Sequence, residues 1–135
     1  MPFVNANGPM PALDLGFPDV CNTPVGPAVV PIPYPNINMS TMGIPTQFRC
    51  LLMCMPAHNM TTVRAMSMGD NAGVVLGVMS GMVMGPGLAM NGSSNLFIGG
   101  PPATKMAMPT KQNGAGPNAF GMSISPSQIR FMALR

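Results

Sequence analysis

Prolines alternate with apolar residues along residues 21–36, which read C-N-T-P-V-G-P-A-V-V-P-I-P-Y-P-N. Each proline fixes its own φ, lacks a backbone N–H and pushes the preceding residue towards extended geometry. The pattern therefore predicts a stiff, extended, strand-like rod. Because proline cannot donate a hydrogen bond within a sheet, the rod should lie at a sheet edge or pack against another surface. It carries no charge or base, so it suits a structural or docking part better than an active-site loop.

Short apolar runs separated by turns make up most of the remaining chain. Residues 1–20 read as an irregular arm that leads into the rod. Residues 47–55 are apolar enough for a buried strand or a short helix, and periodicity does not separate the two. Residues 60–68 alternate loosely, and residues 95–98 predict a short strand.

Two signals compete at the C-terminal end of the sequence. Ser125, Pro126 and Gln128 stand in the order of a helix capping box. Ile129, Phe131 and Ala133 instead alternate as they would in a strand. We expect the strand, because the rest of the sequence is rich in β signals.

A second periodic stretch carries Gly73, Gly77, Gly81 and Gly85, and no residue between Asn71 and Thr104 is charged. Small residues at every fourth position are typical of transmembrane helices that pack closely. They are equally compatible with a tightly turned β segment, in which glycine permits positive φ and close backbone approach. The interruption at Pro86 and the lack of flanking basic anchors favour the turned segment.

Composition agrees with a small, turn-rich β protein that is covered by a partner. The 135 residues include 16 Gly and 17 Pro, while 47% are hydrophobic, so a packed fold of short strands and tight turns is favoured over disorder. Only 7% of the residues are charged, far below the quarter or so that is usual in soluble domains. The sequence predicts one mainly β domain over residues 1–135, with much of its surface buried against another protein.

Charge distribution narrows the class of partner. The net charge of +3 comes from six scattered basic residues that are not interleaved with aromatic residues, so no nucleic-acid partner is expected. The N-terminal residues carry no basic group ahead of an apolar run, so no secretory signal is predicted and the protein should start in the cytoplasm.

Several motifs together resemble a known family. The run over residues 21–36, then G-D-N-A-G, then M-S-G-M-V-M-G-P and finally S-P-S-Q are similar to the PAAR-like domain associated with bacterial type VI secretion systems and their toxins. The segment ending in Pro102-Ala103-Thr104-Lys105 is similar to the Pro-Ala-Ala-Arg tetrad of that family, although Thr104 and Lys105 depart from it.

The resemblance implies a small conical β structure that caps the trimeric VgrG-type spike of a contractile injection system. Such a tip sharpens the spike, delivers a toxin effector or adaptor, contacts the target membrane transiently, and stays in the bacterial cytoplasm until it is loaded and secreted. The apolar residues of the rod are then the candidates for docking on the spike: Val25, Val29, Val30, Ile32 and Tyr34.

The resemblance also implies a metal bound by histidine and cysteine. This chain offers Cys21, Cys50, Cys54 and His58, which are the residue types of a structural zinc site. The spacing of four places the last three on one face of a helix or strand. The alternative is that the cysteines are small buried hydrophobic residues and His58 lies in a loop.

Two other functions remain as rivals of the spike tip. The 17 methionines could indicate a copper-handling protein, although they are spread among Gly, Val and Ala as core residues would be. The glycine spacing could indicate a membrane protein. Catalysis is not expected, because one histidine and three acids, Asp14, Asp19 and Asp70, form no recognisable constellation, and Asp70 reads as a turn residue.

Overall fold

Antiparallel strands dominate the computed structural model, which describes residues 3–134. The mainly β fold predicted from the sequence is therefore confirmed. The described residues form one short 3₁₀ helix, Ser40–Met42, and these strands: β1 Leu13–Val25, β2 Ala28–Met39, β3 Gly43–Ile44, β4 Leu51–Leu52, β5 Met55–Pro56, β6 Val63–Arg64, β7 Ser67–Met68, β8 Gly87–Ala89, β9 Pro109–Gln112 and β10 Ala119–Ser123.

The proline-rich residues 21–36 are extended, but they do not form the single continuous rod that was predicted, because residues 21–25 end β1 and residues 28–36 begin β2 of a long hairpin. Strands β1 and β2 pair antiparallel from Leu13 opposite Met39 to Val25 opposite Ala28. The chain reverses at residues 26–27, where Gly26 has a φ of +63° that few other residues adopt. The predicted irregular arm is also wrong at its end, because β1 already begins at residue 13.

Alternate prolines explain why β2 can be so long. Pro31 lies opposite Asn22 and Pro33 opposite Val20. Alternate residues of an antiparallel strand turn their N–H positions towards the same side. The prolines therefore share one side of β2, and because the residues between them pair with β1, that side faces away from β1. On that far side β7 pairs only with Ile37 and Asn38. The prediction of a sheet edge is therefore confirmed for the proline-bearing part of β2.

Eight of the strands form one sheet in the order β3-β6-β8-β9-β10-β1-β2-β7, and β4 and β5 form a separate small hairpin. The first part of β1 is central in the large sheet, because it pairs with β10 at residues 14–16 and with β2 along its length. Residues 47–55, which were left open between strand and helix, supply β4 and the start of β5. Residues 60–68 supply two very short strands instead of one.

The large sheet is apolar outside and polar inside. One cross-strand row on β7, β2, β1, β10 and β9 consists of Met68, Ile37, Leu15, Met122 and Pro109. Leu15 is 37% and Met122 is 48% exposed. The neighbouring row turns inward and consists of Ser67, Asn38, Asp14 and Ser123, all of which are buried. Polar side chains therefore fill the space that apolar ones fill in most domains.

A buried ion pair ties the two halves of the sheet together. Arg64 Nη1 of β6 lies 2.6 Å from Asp14 Oδ2 of β1, and both side chains are almost fully buried. Burial raises the pKa of Asp14, while the Arg64 guanidinium opposes that rise. Removing one partner would leave an uncompensated charge in the interior.

A small apolar core lies where the N-terminal and C-terminal segments meet. It consists of Val4, Ala57, Ile98, Ala103 and Ala133. Ala103, the second residue of the tetrad that resembles Pro-Ala-Ala-Arg, is fully buried there.

The predicted strands at residues 95–98 and at the C-terminal end are not formed. Phe97 and Met132 take part only in isolated bridges, to Pro102 and Phe3. Side-chain hydrogen bonds anchor the C-terminal segment instead, because Gln128 Nε2 donates to Val4 O and its Oε1 accepts from Arg130 N. Polar contacts to the N-terminal segment replace both of the local structures that the sequence suggested.

The glycine-rich residues 69–86 form turns and bends, as the second of the two interpretations proposed. Within residues 3–134 no helix is long and apolar enough to cross a membrane. The turned segment that the sequence favoured is therefore confirmed, and the alternative of a glycine-zipper helix is not formed here.

His58 should make stability depend on pH. It is buried, its Nε2–H donates to Asn7 Oδ1, and burial together with nearby Arg64 lowers its pKa to about 3. In the unfolded chain the His58 imidazole takes up a proton near pH 6.5, whereas in the folded protein it does so only near pH 3. The free energy of unfolding is therefore highest above pH 6.5 and falls as the pH drops towards 3. The loss should amount to roughly 5 kcal/mol at most, because the pKa falls from 6.5 to about 3 and each pKa unit corresponds to about 1.4 kcal/mol.

Urea unfolding at several pH values measures this dependence, with His58→Gln as the comparison. The variant should show a flatter profile between about pH 6.5 and pH 3. Asp14, whose pKa is raised, acts in the opposite direction in both proteins. Identical profiles for the two proteins would contradict the assignment to His58.

Candidate functional site

Six buried or nearly buried side chains from distant parts of the chain meet beside the long hairpin. β1 contributes Asp19 and Cys21, and Asp19 follows the register shift after Gly16. The other members come from β2, from the turn after β7 and from the connection between β9 and β10. We call this cluster the polar hub: Asp19, Cys21, Asn36, Asp70, Asn113 and Asn118.

Asparagine amides surround the two carboxylates of the hub. Asp19 Oδ2 accepts hydrogen bonds from Asn36 Nδ2 at 2.6 Å and from Asn113 Nδ2 at 2.7 Å. The same Asn113 nitrogen donates to Asp70 Oδ2 at 2.8 Å, so it bridges the two acids. Asn118 Nδ2 donates to Asp19 Oδ1 and to Val20 O. Neutral donors thus satisfy two carboxylates that lie away from the Asp14–Arg64 pair.

Backbone contacts fix the orientation of two of these amides. Asn113 Oδ1 accepts from Gly85 N at 2.6 Å, and Asn118 Oδ1 accepts from Met79 N at 2.9 Å. Since the oxygens are held by backbone N–H groups, the Nδ2 groups must face the acids. Side-chain hydrogen bonds of the hub therefore connect the glycine-rich loop to the hairpin.

The glycine spacing that suggested a helix reflects close packing around the hub. A Cβ at Gly73 would collide with Cys21, one at Gly77 would lie 2.8 Å from Asn118 Cγ, and one at Gly85 would lie 2.9 Å from Asn113 Oδ1. Three of the four glycines thus lie where the loop backbone touches a hub residue. The fourth, Gly81, has a φ of +62° in a turn.

Cys21 is a protonated donor within the hub. Its Sγ lies 3.4 Å from Asp19 Oδ1 and 4.0 Å from Asp70 Oδ2. Burial, together with the neighbouring Asp19 carboxylate, raises the pKa of this thiol to about 12. A thiol in such surroundings is chemically inert at neutral pH.

The four residues predicted to bind zinc are not brought together, which corrects that prediction. Cys21 lies in the hub, whereas Cys50 and Cys54 are exposed free thiols near the β4–β5 hairpin. His58 is buried and is occupied by Asn7. The turn between β4 and β5 carries Cys54, with a positive φ of 65°, and so removes the regular spacing on which the prediction rested.

One other group of potential metal ligands occurs among residues 3–134, namely Asp19, Cys21 and Asp70, whose ligand atoms lie within 4.8 Å of one another. Their surroundings do not suit zinc as they are arranged. Amide nitrogens with fixed orientation point at the carboxylates, and the thiol is protonated, whereas a metal ligand must be a thiolate. The positive ends of amide dipoles stand where a cation would be.

Apolar side chains cover the closed end of the hairpin. Of the predicted docking residues, Val25, Val29 and Val30 are 53%, 55% and 41% exposed. Ile32 and Tyr34 are half-buried, and the Tyr34 hydroxyl shares a 2.8 Å hydrogen bond with Thr23 Oγ1. Whether these residues dock on a partner stays a prediction.

The glycine-rich loop extends this apolar surface along the other side of β1. Val75 N donates to Asn22 O, and Val78 N donates to Val20 O. The loop side chains are exposed, among them Val74 at 62% and Met79 at 78%. We call this uncharged surface the hairpin end: Val25, Val29, Val30, Val74, Val75 and Met79.

Comparison with known proteins identifies the family. A family model described as the Toxin PAAR-like domain matches residues 12–120. The chain belongs to this family. No curated protein matches it, and no solved structure does either. The matched part of this PAAR-like chain contains the whole hairpin and every member of the hub, whereas the segments 3–11 and 121–134 lie outside the match.

Sequence reasoning missed most of the hub. It assigned Asp19 to an irregular arm and Asp70 to a turn, and it did not single out the three asparagines. One signal could have pointed to the hub. Soluble proteins normally carry many exposed acids, and a chain with only three acids in total is a candidate for keeping them in its interior. No local pattern pairs these residues, because Asp19 and Asn118 are 99 positions apart.

Asn113 should be a major contributor to stability. Asn113→Ala removes hydrogen bonds to both hub carboxylates and leaves Gly85 N without its acceptor, so unfolding in urea should show a loss of about 3 kcal/mol or more. Asn71→Ala is the matched control, because Asn71 is exposed and accepts only from Gly69 N, and it should cost less than about 1 kcal/mol. Equal losses for the two variants would contradict the structural role of the hub.

Thiol accessibility should divide the three cysteines. Cys50 and Cys54 should react with a maleimide in the native protein, while Cys21 should react only after denaturation, because it is fully buried and its pKa is about 12. Peptide mass spectrometry after labelling identifies the modified residues. Labelling of Cys21 at the rate of Cys54 would mean that the hub opens readily.

Proposed function

We propose that this PAAR-like chain is a non-enzymatic tip protein that caps the trimeric VgrG-type spike of a bacterial, type VI secretion-like contractile injection system. In this role it sharpens the spike for penetration and can carry a toxin effector or adaptor. It resides in the cytoplasm until it is loaded and then leaves with the spike.

The uncharged hairpin end is the observation that carries this proposal. A tip that docks on the end of a trimeric spike needs an apolar surface to bury against it. Large exposed apolar patches of this kind mark interaction sites. Val29 and Val74 protrude there at 55% and 62% exposure. The three acids are buried, so no exposed acidic side chain opposes docking.

Rigidity supports a mechanical role. Prolines stiffen β2, and the hub joins the hairpin to the glycine-rich loop by hydrogen bonds to Asp19 and Asp70. A tip that transmits force needs such cross-links between distant segments, and none of them requires a reactive group. Zinc has no part in the proposal, because the residues present do not form a suitable site for it.

Co-purification with a VgrG-type trimer tests the proposal. We expect one chain per trimer, measured by light scattering on the purified complex. Val29→Asp and Val74→Asp should each weaken binding tenfold or more, since an unpaired charge in an apolar contact costs at least about 1.4 kcal/mol.

Ile129→Asp is the matched control, because Ile129 is similarly exposed at 63% but lies in the C-terminal segment. It should bind the trimer as the unmodified chain does. The proposal is wrong if the chain ignores the trimer, or if the hairpin-end variants bind it normally.

A further inference from the structure

The surface of this chain carries no acidic side chain. Its three acids, Asp14, Asp19 and Asp70, are all fully buried. Of the cations, Arg64 is buried with Asp14, whereas Arg49 and Arg130 are exposed. The charged side chains at the surface are therefore all positive, and a partner that they attract must be anionic.

The exposed arginines lie at one end of the molecule. Arg130 precedes Phe131, whose carbonyl accepts from Val4 N, and Val4 bridges Lys105. Arg49 belongs to the same end, because the next residue, Cys50, accepts a hydrogen bond from Ala57 N. Ala57 and Val4 share the small apolar core.

Large apolar side chains protrude beside these cations. Leu134 is 81%, Phe48 is 70% and Phe97 is 60% exposed. Leu134 and Leu96 line one cleft of about 410 Å³, and Phe48, Arg49 and Gly99 line another of about 430 Å³. The segments are therefore neighbours, and we call this surface the cationic end: Phe48, Arg49, Phe97, Arg130, Phe131 and Leu134.

The cationic end and the hairpin end lie at opposite ends of the long hairpin. The segment before β1 packs at the cationic end, since Ala6 bridges Ala57. From there β1 runs 13 residues to Val25, a length of roughly 40 Å at about 3.3 Å per residue. The hairpin end carries no charged side chain, so the two surfaces differ in chemistry as well as position.

We propose that the cationic end is a surface that binds anionic phospholipid membranes. Arginines near protruding phenylalanine and leucine side chains suit a membrane interface, where the apolar groups enter the acyl boundary and the cations meet lipid phosphates. No acidic side chain is exposed beside it, so no acidic side chain repels the lipid phosphates. Side chains exposed by 60–81% project outward, which suits a deformable lipid surface better than a preformed protein groove.

This inference deepens the proposed function, because it names the chemistry of the membrane that a penetrating tip meets, but it is argued from the other end of the molecule. It also uses residues that the family match does not cover, such as Arg130 and Leu134. Spike binding and membrane binding can therefore fail separately.

Vesicle binding with a site-specific dye tests the proposal. The Cys50→Ser chain carries an environment-sensitive dye on Cys54, in the β4–β5 turn that follows Arg49, and Cys21 stays unlabelled because it is buried. The emission should shift to the blue with vesicles of phosphatidylcholine and phosphatidylglycerol, and not with phosphatidylcholine alone. A dye on Val29→Cys, with Cys50 and Cys54 changed to serine, should not shift.

Paired substitutions separate the two parts of the interaction. Arg49→Gln with Arg130→Gln should weaken binding to the anionic vesicles about tenfold or more, and Phe48→Ser with Leu134→Ser should abolish the dye shift. Val29→Ser with Val74→Ser is the matched control at the hairpin end and should bind vesicles normally. All six residues are exposed, so the fold should be unaffected.

Equal binding to both kinds of vesicle, or a shift from the dye at residue 29 alone, would overturn the proposal. So would a lack of binding to the anionic vesicles, and arginine-dependent binding to polyglutamate would then mean that an acidic protein is the partner instead.

Discussion

Hydrogen bonding between asparagine amides and the buried Asp19 carboxylate is the constraint on which this structure depends. Removing a charged group from water is costly unless donors replace the lost hydration. Here three amides supply those donors, and they come from β2 and from the residues between β9 and β10. Because the same amides also hold Gly85 and Met79 of the loop, one buried acid places the hairpin, the loop and the β9–β10 connection relative to one another.

Polar contacts in the interior hold the fold together, and the outer surface of the protein is mostly apolar and almost uncharged. The interior is organised by polar contacts around Asp14, Asp19 and Asp70, so apolar residues need not all be buried to hold the fold together. Instead, apolar side chains are exposed on the outer face of the sheet, at the hairpin end and at the cationic end. The low charge content of the sequence and the polar core are thus linked, because the few acids are used in the interior and the outer surface is largely apolar.

The two ends of the molecule are chemically different although both are apolar. The hairpin end has no charge, whereas the cationic end adds Arg49 and Arg130 without any acid beside them. The long hairpin separates them and the hub keeps it rigid. A protein built in this way can present one surface to a carrier and another to a target.

Proline spacing and composition were enough to predict an extended, mainly β protein, because proline acts on the backbone at its own position and needs no distant partner. The family was predicted from the resemblance of several motifs. The hub, the hairpin reversal at Gly26 and the dispersal of the cysteines could not be predicted in this way. Gly73 and Cys21 touch only because the loop folds back on β1, and Asn113 bridges Asp19 and Asp70 over separations of 94 and 43 residues. Local pattern governs backbone geometry, but contacts between polar side chains so far apart arise only when the whole chain packs, since nothing in the neighbouring sequence marks which donor will meet which acid.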